Sequence, residues 1–186
     1  LQMKHFTEIH QLIENQQIAI GFVSNLHKYP NVTAQPLFTE SMILLYHRCM
    51  FETSRNLMDL PPQDEIYLTI GGKYELWHRS RLPNSDVRTA SIGMNSMLPD
   101  FLRCPQTWAI TTQGTVETLL AQNNHLRSSS ITKDPPPHRM TYLLLYKYPK
   151  PWVDDLCRLF LADVVESIKK KPYLKLLYHL PADDRH

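Results

Sequence analysis

The sequence predicts an α+β domain, α/β-like in the way its elements alternate, with a mixed β-sheet of four or five strands surrounded by helices. Three observations carry this expectation. Apolar residues recur at helical spacing from Pro151 to about Ile168. A continuous apolar run, Met140–Tyr148, has the character of a strand buried on both faces. Gly71-Gly72 separates two β-prone segments as a hairpin turn would.

Taken in chain order, Phe6, Ile9, Ile13, Ile20 and Val23 predict one helix or two short ones between Phe6 and about Leu26. Tyr29–Pro36 reads as a loop. Thr39 or Ser41 is a helix cap, and the apolar residues after it predict a second helix to about Met58, ended by Pro61-Pro62. Glu65–Ile70 and Lys73–Ser80 form the hairpin, and Arg88–Met94 and Thr107–Thr112 are further strands. A helix at Val116–Leu126 and a polar loop at Ser128–His138 precede the buried strand. In the last helix, Pro151 suits the first turn, and Asp154 and Asp155 meet the positive end of the macrodipole. Val153, Leu156, Cys157, Phe160, Leu161, Val164 and Ile168 line its apolar face, Lys169-Lys-Lys171 closes it, and Pro172 stops it. Tyr173–Leu180 is a short strand or a further helical turn.

The 186 residues suit a single domain, 1–186, and 42% hydrophobic with 20% charged residues is a globular mixture. A formal net charge of +2 permits a local basic patch without demanding a nucleic-acid partner. The basic residues Lys73, Arg79, Arg81, Arg88 and Arg103, interleaved with Tyr74 and Trp77, make an edge that could touch RNA backbone. Cys49, Cys104 and Cys157 are odd in number and far apart, which points to a reducing, intracellular compartment rather than a disulfide framework. No apolar run approaches the roughly 20 residues that span a bilayer, so no membrane partner is expected. The opening Leu1-Gln-Met-Lys-His5 lacks a secretory pattern. With five glycines and no GxGxxG or GxxxxGK[ST], a phosphate-cradling loop is excluded.

The residues able to carry chemistry are few. On the predicted second helix His47 shares the apolar face of Ile43, Met50 and Phe51. On the second hairpin strand His78 alternates onto the face of Tyr74 and Leu76. Asp100 follows Pro99 in a turn. Asp64-Glu65 opens a strand and faces solvent.

The order of elements resembles the N-terminal domain of the polymerase acidic subunit of influenza-like viruses (orthomyxoviruses). That domain is the cap-snatching endonuclease, a metal nuclease of the PD-(D/E)xK class. The resemblance rests on Leu44-Leu-Tyr-His-Arg-Cys-Met-Phe51, Lys73-Tyr-Glu-Leu-Trp-His78, Leu98-Pro-Asp100, the strand at Trp108–Thr112, the strand Tyr142–Tyr146 and the last helix. It implies a remnant site of His47, His78 and Asp100, with His47 and Asp100 as the metal ligands that remain. His78 stands where an active member has its first acid, Ile110 or Thr111 where it has a second, and Gln122 or Asn123 where it has a lysine. One carboxylate and two imidazoles hold too little charge for two-metal catalysis, so no cofactor is expected beyond weak manganese or zinc binding. The implied function is an inactive nuclease-like domain with a degraded site, as in thogotoviruses. It would be kept for assembly with other subunits of a viral RNA polymerase, in a host nucleus. Two alternatives stand beside it: a non-viral α+β protein-interaction module, and an active RNA endonuclease using other acids such as Glu75 or Asp86.

Overall fold

The computed structural model describes residues 4–49, 60–82 and 90–179. It is a mixed α+β chain in two compact units. Unit 1 comprises Leu1–Thr39 and Met140–His186, and unit 2 is the intervening Glu40–Arg139.

Unit 1 begins with α1 (Phe6–Glu14). Gln16, at φ 54°, turns the chain out of it into β1 (Ile20–Val23), so the helical spacing expected as far as Leu26 breaks at Asn15. β2 (Val32–Glu40) follows a connector. After unit 2 the chain returns through β8 (Arg139–Tyr146), α5 (Pro151–Lys169) and β9 (Leu174–Leu176). The four strands lie in the order β1-β8-β2-β9, with β1 antiparallel to β8.

Successive β8 residues serve opposite faces, as expected of a strand buried on both sides. Leu144 packs with Ile13 of α1 and Val23, while Leu143 packs with Leu37 and with Leu161, Val165 and Ile168 of α5. Gly21 lets α1 sit close on β1, because a Cβ there would lie 2.6 Å from Ile9 Cγ2. The α5 bounds match the expectation, and its buried face does so in part: Cys157, Leu161 and Ile168 are buried as expected, but Leu156 and Phe160 are not. Cys157, Leu161, Val165 and Ile168 are buried, whereas Trp152, Leu156, Leu159 and Phe160 are exposed. Within the Tyr173–Leu180 segment Leu174–Leu176 form a strand, and Leu180 lies outside the described residues.

Unit 2 contains β3 (Met42–His47), β4 (Ile66–Leu68), α2 (Gly72–Arg81), β5 (Ala90–Ile92), α3 (Leu98–Phe101), β6 (Trp108–Thr112), α4 (Gln113–Gln122) and β7 (Leu126–Ser130). β3 is the centre of an antiparallel sheet, β6-β3-β7. β4 and β5 pair in parallel, and Glu65 bridges to Trp108.

Several expectations are corrected here. The second helix is absent over Thr39–His47, where the chain is in β2 and β3; its remainder falls outside the described residues from Met50 on. β3 carries Met42, Leu44 and Tyr46 on one buried face and Leu45 and Ile43 on the other, so no alternation marks it as a strand. The glycine hairpin is also absent. Gly71, at φ 135°, ends the approach from β4, and Gly72 starts α2, the helical crossover that a parallel pair requires. Among the described residues the strands number four, three and two in separate sheets rather than four or five in one, and the nuclease-class arrangement is not confirmed. The helix expected at Val116–Leu126 is α4, shifted toward its N-terminus, and the supposed loop at Ser128 is still β7.

Candidate functional site

The three residues of the expected remnant site are each engaged with a different partner. His47 ends β3, where its ring stacks 6.0 Å from that of His125, and its Nδ1 accepts the Cys49 N–H at 3.4 Å. Burial, then the neighbouring His125 and Arg48, pushes its pKa below the usual 6.5. Asp100 lies on α3, exposed, with its Oδ1 2.7 Å from Nη2 of Arg103. His78 is on a helix, not a strand, and helical rather than alternating geometry decides its face. It shares burial with Tyr74, one turn back, while Leu76 is 70% exposed. Among the described residues no group of three or more His, Cys, Asp or Glu side chains is placed to hold a metal ion.

His78 Nε2 lies 2.6 Å from Glu65 Oε1, and both side chains are fully buried. Glu65 does not face solvent as the sequence suggested. Being acceptor-only when ionised, the carboxylate takes the proton on Nε2 as its hydrogen bond. The rings of Tyr67, Tyr74 and Trp77 lie 4.9, 5.7 and 6.4 Å from the imidazole, and His78 Nδ1 is buried without a hydrogen-bond partner among the described residues. This pair ties α2 to the start of β4. A buried pair in such surroundings is costly to break by halves, which makes it a structural fixture first.

The polar group with access to solvent is where β6 runs into α4. Thr112 is the residue before the helix, and its Oγ1 lies 3.0 Å from Thr115 Oγ1. Asn95 Nδ2 donates to Thr115 Oγ1 at 2.8 Å. Glu40 Oε1 accepts the Gly114 N–H at 2.7 Å and so covers one of the free amides of the first turn. Thr111 Oγ1, one residue back, is buried and has no hydrogen-bond partner among the described residues. Thr112 is buried, while Asn95, Gly114 and Thr115 are half-buried. The carboxyl end of a strand leading into a helix is where α/β proteins commonly place small ligands, because side chains and helix amides converge there. Sequence reading passed over this group: threonines and one asparagine carry no motif, and the convergence depends on strand and helix ends that were misplaced.

Of the basic edge, Arg81 is 3.3 Å from Asp134 and Arg103 is held by Asp100, while Arg88 and the alternative acid Asp86 lie outside the described residues. Glu75 is on α2. No described helix is long and apolar enough to cross a membrane.

No family model and no curated protein matches the sequence. Solved structures do match. The regulatory domain of MexT, a transcriptional activator of Pseudomonas aeruginosa, aligns with a TM-score of 0.67 at 13% identity, covering 87% of this chain and 80% of that one. The regulatory domain of MetR, a LysR family regulator from N. meningitidis, aligns at 0.59 and 16% identity, covering 91% and 82%. The effector-binding domain of QuiR, solved in complex with shikimate, aligns at 0.63 and 16% identity, covering 90% and 80%. At these identities the likeness is one of fold. It overturns the viral reading: the architecture matched is that of bacterial regulator domains, not a viral endonuclease. With it go the cap-snatching function, the polymerase partners, the RNA edge and the host nucleus. The resemblance failed because it rested on an order of elements in which a helix and a hairpin were misassigned.

Proposed function

We propose that this chain is a small-molecule-binding regulatory domain of the kind found in LysR-type transcription regulators. The observation that carries the reading is the interleaved two-unit organisation, one unit inserted into the other, in a fold matched across most of the chain by regulatory and effector-binding domains. The polar group at the β6–α4 junction is the ligand-contacting part of unit 2. Its chemistry is hydroxyl and amide, with the Glu40 carboxylate beside it and no cationic side chain among its members. It therefore suits a small hydroxylated, uncharged or amine-bearing molecule better than a multiply charged anion.

The test is a thermal-denaturation screen against small hydroxylated metabolites, repeated on Thr112→Val and Thr115→Val. A ligand at 100 times its dissociation constant stabilises the folded state by about 2.7 kcal/mol, which a melting curve resolves. The expected result is stabilisation by at least one compound class, lost in the variants. Stabilisation that survives both variants would move the site elsewhere, and a flat screen would remove the reading.

A further inference from the structure

In unit 1, two α1 side chains hold the connector between β1 and β2 by its backbone. His10 Nε2 accepts the His27 N–H at 3.2 Å, and Glu14 Oε2 accepts the Asn31 N–H at 3.0 Å. Both contacts span 17 residues, so a step of one helical turn on α1 is matched by a step of four residues along the connector. Glu14 Oε1 also accepts from Asn31 Nδ2 at 2.7 Å.

The bonding fixes the protonation state of His10. Its Nδ1 lies 2.7 Å from the Phe6 carbonyl oxygen, which only accepts, so Nδ1 carries a proton. The His27 N–H only donates, so Nε2 carries none. The imidazole is fully buried and neutral in this arrangement.

Among the described residues no carboxylate is in ion-pair contact with the imidazole. From the connector, the His27 and Tyr29 rings face it at 5.8 and 5.6 Å. Phe6 stacks on His27 at 5.1 Å, with the His5 ring 4.2 Å beyond. On α1, Glu8 is paired with Lys4 and Glu14 is committed to Asn31. The strands under α1 present Val23, Leu144 and the phenol-bearing Tyr142 and Tyr146. Lys147 reaches the connector through its backbone N–H, donated to the Asn31 carbonyl.

We propose that His10 and Glu14 form an acid-responsive clasp on this connector. A proton added at Nε2 turns the acceptor into a donor facing another donor. The His27 N–H is expelled, and charge on His10 stands beside His27 and, through Phe6, His5. The N-terminal part of the connector then leaves α1. The Glu14 bonds to Asn31 do not involve the imidazole, so the clasp opens from the His27 end.

The experiment is pH-resolved NMR on the ¹⁵N-labelled chain. Long-range imidazole spectra report the His10 tautomer, and amide exchange of His27 and Asn31 is corrected for its intrinsic pH dependence. At neutral pH His10 should be the Nδ1–H tautomer. As it gains its second proton, His27 protection should fall roughly tenfold, about the worth of one net hydrogen bond, while Asn31 protection holds. His10→Gln should abolish the step. His27→Ala keeps the N–H and removes the ring, so it should retain the step, and it keeps the test intact where His10→Gln fails to fold. The proposal is overturned by the Nε2–H tautomer, by His27 protection that ignores His10 protonation, by a His10 that stays neutral until unit 1 unfolds, or by loss of the step in His27→Ala.

Discussion

Leu159 and Leu161 are two residues apart on one helix, and the fold assigns them opposite fates. Leu161 is 2% exposed among Leu37, Leu143, Val165 and Tyr178, whereas Leu159 is 68% exposed. Truncating Leu161 to alanine removes a side chain whose burial is worth roughly 1.5–3 kcal/mol, and adds the cost of the cavity left behind. Leu37 and Leu143 sit on β2 and β8, strands fixed by sheet pairing, so the hole closes poorly. The loss should be about 3–4 kcal/mol, within the range for buried leucines. Helix propensity contributes little, since leucine and alanine are both good helix formers. Leu159→Ala should shift stability by less than about 0.5 kcal/mol, as surface changes do. Two units need not unfold together, so a single melting curve is the wrong assay. Peptide-resolved hydrogen exchange across a urea series reads unit 1 alone. A Leu161→Ala cost under about 1 kcal/mol, or equal costs at the two positions, would refute the orientation given for α5.

Four further outcomes follow from the contacts described. Gly21→Ala pushes a Cβ into Ile9 and should destabilise unit 1 by about 1–3 kcal/mol, measurable by the same exchange series. His78→Ala removes the imidazole that bonds the buried Glu65 carboxylate and should destabilise unit 2 by about 1–3 kcal/mol, seen as faster exchange in β4 and α2; an unchanged exchange rate there would contradict the pairing. Glu40→Ala exposes the Gly114 amide and should cost about 1 kcal/mol, seen as faster exchange in the first turn of α4. Burial lowers the His47 pKa, so the unfolded chain takes up that proton more readily than the folded one. His47 therefore adds stability that is present above its usual 6.5 and lost as pH falls through its lower folded value. His47→Gln should flatten the acid limb of unit 2 stability, and an unchanged limb would deny it that role.

The α+β class, the buried β8 strand and the bounds of α5 were legible because each rests on a long, self-consistent pattern. Leu143 and Leu144 can both be core only on a strand covered on both sides, and the run around them says so. β3 defeated the same logic. Its apolar residues fill both faces, and a short run of that kind fits a helix as well as a strand. Gly71-Gly72 misled because one positive φ serves a helix entry as well as a turn. The buried Glu65 was beyond sequence reading altogether. A glutamate opening a strand is ordinarily solvated, and the folded position of His78, placed by α2, helps make its burial tolerable. The β6–α4 polar group was invisible for a related reason: Thr112, Thr115 and Asn95 acquire meaning only when a strand end and a helix start bring them together.

The order in which the chain joins its two units has a consequence for how it is made. β8 must reach β1 and β2 to complete the first sheet, yet all of unit 2 lies between them in sequence. During synthesis the first strands leave the ribosome without the neighbour that hydrogen-bonds them. Unit 2 is one contiguous segment and can condense as soon as it is out. Unit 1 then has to wait for β8 and β9, with β1 and β2 carrying open edges throughout. A folded insert shortens that wait in space if not in time, because it replaces a long flexible loop with a compact body whose two chain ends are fixed. The nascent protein's most aggregation-prone interval therefore falls between the emergence of β2 and that of β8, and a chaperone or a slow codon stretch would matter most there.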